Sequence, residues 1–462
     1  MSFWSLEITV GTFFMDFAWM GVLLVLAMLV RSRIRIIQEY LIPANLLAGA
    51  FGLIIFANGF GWIDITTDRL GAYVYHLLAL LFIGLGLRSP HKKLGLSSAK
   101  FGLTFIITYL LQGILGLMIA LLLIYTIMPD LFAGIGLLPP LAFGMNPGIA
   151  YTIGQNWELF GFESGGVVGL TFSAVGFLAA YTTGIWYVKR GIRNGEAAYV
   201  TDSEGTSETL KNGLMETPTS NGAGKLTTAT EVIESFTLHI ALVGFVYVMT
   251  YGVMAFFESG LIFAGAENEV QTLWSFHFIF AAIIALLTRW VMDLSGVSNV
   301  VDDVSMTRIS NLCMDFMIVA SIAAISLVVV GQYWLPLLLI SAVVVISTGW
   351  IIRKLTENAF KDFKLERFTA IYGNMTGTLQ SGLLLLRILD AGMRSPVSFN
   401  LVYGSGLALV LGFPLLLLIN APVHYFTEVT TGFWAVLGSL ILYLGLALAG
   451  WKYLAKRNGG VK

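Results

Sequence analysis

Apolar residues run along this chain in blocks of about 20, the length a helix needs to cross ~30 Å of hydrocarbon. The blocks fall at 11–30, 41–60, 71–87, 101–128, 165–188, 236–257, 271–292, 309–329, 332–352, 397–419 and 430–451, and predict eleven membrane spans. Polar positions concentrate in the gaps, with two exceptions. After the fourth block comes FGMNPGIAYTIGQNWELFGFES, Phe143 to Ser164, and after the ninth comes YGNMTGTLQSGLLLLRILDAGMRS, Tyr372 to Ser395. Both bring glycine, asparagine and hydroxyl residues into apolar surroundings.

The two stretches align without a gap at an offset of 229 positions. Gly144 pairs with Gly373 and Gly148 with Gly377, while Phe143/Tyr372 and Thr152/Ser381 are similar. Irregular polar backbone survives at membrane depth only when buried in protein or lining a watery cavity. Paired glycine- or proline-interrupted segments at corresponding places in two halves point to a transporter site. The pattern therefore predicts two re-entrant hairpins, at 131–162 and 366–390, with their tips facing one another.

Composition fixes the class. Hydrophobic residues make up 57% of the 462, charged residues only 11%, and the mean hydropathy is +0.83, more apolar surface than a soluble domain needs. The fold class is an all-α polytopic membrane protein. A net charge of −1 and the lack of a basic block give nothing toward nucleic acid. One cysteine, Cys313, excludes an intramolecular disulfide framework. MSFWSLEITV lacks a basic n-region, so the first block is expected to stay as a span.

Loop charges set the orientation. Arg31, Arg33 and Arg35, then Arg88, Lys92, Lys93 and Lys100, then Lys189, Arg190 and Arg193 lie on one side. Arg353, Lys354, Lys361, Lys364 and Arg367 join them, with Lys452, Lys456, Arg457 and Lys462 in the tail. The opposite loops carry Asp64, Asp68, Asp130, Glu258, Glu267, Glu269 and Glu428 against one basic residue, Arg69. This places the N-terminus outside and the C-terminus in the cytoplasm. Trp274/Trp290, Trp334/Trp350 and Trp434/Trp451 are spaced to reach both interfacial belts, ~25 Å apart.

The stretch from 191 to 235, rich in Gly, Ser, Thr and Glu, cannot form a core and predicts a flexible cytoplasmic linker at 194–235. Its NGAGKLT departs from a phosphate loop at Thr219 and Leu226. The linker separates a first repeat, 1–193, from a second, 236–428, each of five spans and one hairpin. Five is odd, so the halves are inverted. Residues 429–462 add an unpaired span and a tail.

EYLIPANLLAGAFGLII after the first span, LLALLFIGLGL in the third, GFESGGVVGLTFSAVGFLAA in the fifth and TGTLQSGLLLLRILD in the second hairpin together resemble the bacterial sodium/glutamate symporter family, from about residue 34 to residue 425. Where that family has GGHGTG, this chain has FGMNPG, Phe143 to Gly148, and keeps only the outer glycine framework. The resemblance implies a dimeric elevator-type carrier that couples an acidic amino acid to sodium, with no other cofactor.

An anionic substrate needs donors, and helix N-termini supply unpaired N–H groups and partial positive charge. Asn146, Pro147 and Gly148 open the return helix of the first hairpin; Asn374, Thr376, Gly377, Thr378, Gln380 and Ser381 surround the second tip. Sodium wants oxygen, which tip carbonyls and the Thr152, Thr376, Thr378 and Ser381 hydroxyls offer; each hydroxyl alternatively caps or bonds back to its own helix. Arg387 is either a substrate anchor or an i,i+3 partner of Asp390. Asp315 in the eighth span is a candidate site carboxylate or an interfacial residue, and His76 a core histidine or a proton relay. Asp16 and Asp293 sit near span ends and are expected at the interface.

Two other classes fit less well. A membrane enzyme acting on lipid needs clustered carboxylates or histidines, and Asp302-Asp303 has no second acidic motif beside it. A passive channel needs a polar stripe on several helices, and 397–419 is apolar apart from Ser398, Asn400 and Ser405. Within transporters the alternative is a sodium- or proton-coupled carrier of another organic anion, such as a hydroxy-dicarboxylate or citrate.

Overall fold

Once a backbone is surrounded by apolar side chains it must satisfy its own hydrogen bonds, and a helix does so within one segment. The computed structural model describes residues 10–89, 95–200, 224–391, 393–425 and 429–456, and among these every regular element is helical. The first half contributes α1 (Val10–Arg33), α2 (Arg35–Glu39), α3 (Ala44–Ile55), α4 (Thr67–Gly86), α5 (Leu96–Thr126), α6 (Pro147–Glu158) and α7 (Gly165–Arg193). Then come α8 (Ser235–Phe263), α9 (Val270–Ser275), α10 (His277–Leu294), α11 (Asp303–Ala323), α12 (Leu327–Gln332), α13 (Trp334–Ala359), α14 (Lys364–Thr376), α15 (Leu379–Leu389), α16 (Val397–Tyr425) and α17 (Val429–Lys456). Much of the expected linker, both chain termini and the basic pair Lys92-Lys93 lie outside the described residues.

Ten of the described helices are long and apolar enough to cross a membrane, not eleven. The block at 41–60 is the difference: it forms only the 12-residue α3, ~18 Å long. Pro43 sits at its N-cap and disfavours helix at Ile42 before it, and Leu41, one residue further back, has φ +49. At the other end Phe56 turns extended, and a turn through Gly59 and Gly61 consumes the remaining apolar residues. The expected span 309–329 also shifts. Asp302 accepts from the Ser305 N–H at 2.8 Å and starts α11 early, and the helix ends at Ala323.

Two compact units emerge, and each draws on both halves of the chain. The first comprises Met1–Val30, Pro43–Lys92 and Leu214–Ala324. In it α3 and α4 both pack on α11, closely enough that a Cβ on Gly49 would stand 2.7 Å from Ile322 and one on Gly52 2.8 Å from Ala323. Asp16 is fully buried in this unit. Arg69 pairs with it through two nitrogens, and the Tyr73 hydroxyl donates to it at 3.1 Å.

The second unit comprises Arg31–Ile42, Lys93–Gly213 and Ile325–Lys462. Its spine is α5, which packs on α13, α16, α17 and the 3-10 turn Ala133–Leu137. At Gly116 and Gly136 two backbones touch: a Cβ on either would run into the carbonyl of the other. Replacing Gly136 with alanine is therefore expected to destabilise by ~1–3 kcal/mol. Gly438 on α17 has nothing within 4 Å of an added Cβ, so Gly438→Ala serves as the control. Melting curves of the two purified variants should separate clearly, and superimposable curves would contradict the backbone contact.

Candidate functional site

Two breaks in helical structure carry most of the sequence-predicted polar residues. In the first, a π-type turn, Pro140–Met145, stops at Asn146, whose backbone is extended (φ −171, ψ 140). Its side chain then accepts the Gly148 N–H at 2.8 Å and caps α6, with Pro147 at the first helical position. In the second, α14 ends at Gly377 (φ −133, ψ −105), and the extended Thr378 opens α15 through a capping box with Ser381. The arms of this second pair lie against one another at Gly373 and Gly382, where a Cβ on Gly373 would be 2.9 Å from the Gly382 Cα.

Breaking a helix strands carbonyls, and α5 receives them. The Tyr109 hydroxyl donates to the Gly144 carbonyl of the first break at 3.0 Å. One turn on, Gln112 donates through Nε2 to the Met375 carbonyl of the second at 3.0 Å and to Thr348 Oγ1 at 3.0 Å. Positions 109 and 112 share one face of the helix. Gly176 of α7 closes the arrangement from another direction: a Cβ there would stand 2.8 Å from the Phe143 ring and collide with the Thr376 carbonyl. The two breaks thus meet within one unit.

The structure gives several of the predicted residues partners within the protein. Thr152 and Thr376 bond back to the carbonyls of Gly148 and Tyr372, each at 2.8 Å. A hydroxyl that donates keeps its lone pairs, so both oxygens remain able to accept. Ser381 meets the Tyr181 hydroxyl at 2.7 Å, and Asn374 donates to Ser405 at 3.3 Å. Gly148 and Thr378 are buried, and Gln380 is half-buried in the first turn of α15. A Cβ on Gly377 would press on the Ser381 hydroxyl at 2.6 Å, so the residue is needed for the cap itself.

Three candidates stand elsewhere. Arg387 is exposed and makes no ion pair with Asp390 among the described residues. Asp390 leaves the helix at its C-cap and instead accepts the N–H groups of Arg394 at 2.9 Å and Ser395 at 2.8 Å. Asp315 belongs to the first unit, half-buried, and accepts from Asn45 at 2.9 Å. His76, in the same unit, meets the Tyr247 hydroxyl at 2.6 Å. No group of three or more His, Cys, Asp or Glu gathers among the described residues, so a cation at the breaks would rely on carbonyl, amide and hydroxyl oxygen.

At the far end of α14 a short strap from the first half docks. Glu196 pairs with Arg353 at 2.7 Å, the Ala198 N–H donates to Glu366 at 2.7 Å, and Tyr199 stacks on Phe363 at 5.7 Å. Glu366 lies outside the ten long helices and is fully buried. Burial pushes its carboxyl above the ordinary glutamate value and the Asp390 charge adds to that, against the Ala198 amide.

Both sets of contacts lead to measurable outcomes. Tyr109→Phe is expected to cost ~0.5–1.5 kcal/mol, and Gln112→Leu, which leaves Met375 and Thr348 without their donor, ~1–3 kcal/mol. Thermal melts should rank wild type above Tyr109→Phe above Gln112→Leu; an unchanged Gln112→Leu would remove the amide from this role. For Glu366, a folded-state value above the unfolded one means stability that is whole below ~4.3 and lost as pH rises through the folded value. Glu366→Gln keeps the acceptor for Ala198 and cannot ionise. Its melting temperature should match wild type near pH 4 and exceed it increasingly toward pH 8, and a deficit that grows with pH would reverse the sign.

No protein-family model matches this chain, and neither a curated protein nor a solved structure matches it.

Proposed function

We propose that the chain is a secondary active transporter that brings glutamate or a related acidic amino acid into the cell with sodium, by elevator-type alternating access. The observation that carries this reading is the pair of broken helices held one turn apart on α5 by Tyr109 and Gln112. Discontinuous helices in transporters aim half-helix N-termini at anionic groups, while unwound carbonyls and half-helix C-termini coordinate the cation. Here the carbonyl-rich ends at Gly144 and Met375 come together, and the N-termini of α6 and α15 leave from the same breaks. Asn146 uses the Gly148 N–H at the first break. At the second, Leu379 opens α15, whose first turn presents N–H groups along the helix axis.

Helix order supports the repeat behind this reading. Shifted by 229 positions, α7 would span 394–422, against Val397–Tyr425 for α16; shifted α1 would span 239–262, against Ser235–Phe263 for α8. In this reading 131–162 and 366–390 are re-entrant hairpins of inverted repeats. The protein is a homodimer in the inner membrane of a bacterium, with the basic loops and the C-terminus in the cytoplasm.

Uptake into proteoliposomes tests it. Labelled glutamate should accumulate under an inward sodium gradient and not under an equal potassium gradient, and Gln112→Leu should reduce the rate at least tenfold. Accumulation of citrate or another hydroxy-dicarboxylate, with glutamate ignored, would move the substrate to the alternative anion. Equilibration of glutamate without accumulation would end the symport reading.

A further inference from the structure

We infer that the second unit carries a separate binding site for a small oxyanion, a carboxylate or phosphate, at the end where α5, α14 and α16 begin. This end lies a full α14 away from the helix breaks: Lys364 to Thr376 is ~18 Å of helix. The inference does not depend on the transport reading.

Two cations are buried there on one aromatic ring. Lys100 is fully buried, with its ammonium 5.5 Å from the centre of Phe360, and Arg367 is 2% exposed, with its guanidinium 4.3 Å from the same centre. Cation–π attraction stabilises each, yet like charges this close repel in surroundings that hold little water. Lys100 donates to the Ala359 carbonyl at 3.0 Å, one bond from a group with three donors. Arg367 reaches Asp362 through Nε and Nη2, both at 3.2 Å, and its Nη1 is buried with no partner among the described residues.

A third donor comes from α16. Asn400 is 5% exposed, and its Oδ1 accepts the Ser98 hydroxyl at 3.1 Å, which ties the start of α16 to the start of α5. Nδ2 is then the buried atom without a partner among the described residues. One turn later Gly404 packs against Phe101, whose ring lies 5.6 Å from Phe360, so Asn400 and the two cations share one neighbourhood. Three helix N-termini add their partial positive charges to it.

The carboxylates nearby do not cancel this excess. Asp362 is 59% exposed and already bonded to Arg367, and Asp390 spends both oxygens on the Arg394 and Ser395 amides. Glu366 gives one oxygen to Ala198, and its other oxygen is buried without a partner. When protonated, that carboxyl becomes a further donor. Buried donors in excess of acceptors call for an acceptor from outside, and an oxyanion offers several at once.

The test uses the full chain purified in detergent, with no gradient across it. Glutamate and inorganic phosphate are titrated separately while melting temperature is followed, since a ligand of the folded state raises it with concentration. A third arm compares nanodiscs with and without phosphatidylglycerol, to tell a lipid phosphate from a soluble anion. Asn400→Asp keeps the acceptor for Ser98 but replaces the unpartnered donor with a negative oxygen. It should weaken the effective anion at least tenfold, as should Lys100→Met, while Gln112→Leu leaves it unchanged. The inference fails if none of the three anions stabilises wild type. It fails equally if Asn400→Asp and Lys100→Met respond as wild type does, or if Gln112→Leu alone abolishes the effect, which would assign the anion to the helix breaks.

Discussion

What the second unit cannot do without is a hydrogen-bond partner for carbonyls that a broken helix leaves behind. An α-helix in apolar surroundings satisfies its own backbone; a break at Asn146 or Gly377 strands acceptors where water is scarce. Two side chains on one face of α5 answer for both breaks, Tyr109 at Gly144 and Gln112 at Met375. Their spacing of three residues sets how near the breaks lie. The other contacts follow from that geometry. Gly176 has no side chain because Phe143 and the Thr376 carbonyl fill its place, and Thr348 is bonded because Gln112 has a second N–H to give.

The sequence revealed the existence of this region more readily than its support. FGMNPG and YGNMTG stand out because glycine, asparagine and proline interrupt apolar runs, and such interruptions are local signals. Tyr109 and Gln112 carry no such mark. Each is one polar group inside a 31-residue helix, and only the partner shows what it is for. The hydroxyls illustrate the same limit: Thr152 has two uses that spacing cannot separate, and the structure shows one of them, the bond back to Gly148. Arg387 and Asp390 looked like an i,i+3 pair until the helix ended at Leu389 and turned the carboxylate toward two backbone amides.

The helix count shows where reading by length fails. Residues 41–60 satisfy the apolar criterion, yet Pro43 and the turn at Gly59 and Gly61 reduce the helix to α3. Hydropathy sums over a window and does not see that a proline and a glycine turn have cut it. Partners lie equally beyond a local reading at Asp16. Alone it reads as a residue near a span end, and the sequence does not announce that Arg69, 53 positions away, and Tyr73 will bury and pair with it. Burial of an ionised group requires such partners, and they are non-local by nature.

That non-locality extends to the units themselves. The linker suggests a division into consecutive halves, whereas compactness groups the start of each half in one unit and the remainder of each in the other. Unit two holds α5 and α7 from the first half with α13 and α16 from the second, and a broken helix pair from each. The first half meets its own break through Tyr109 at Gly144, but the second does not: Met375 depends on Gln112 of the first half, and the strap that reaches Glu366 also comes from the first. The hydrogen bonds therefore cross between halves where the polar burden is greatest. The second set of stranded carbonyls is satisfied only by a helix of the first half, which makes Gln112 on α5 the point where the halves become one structure.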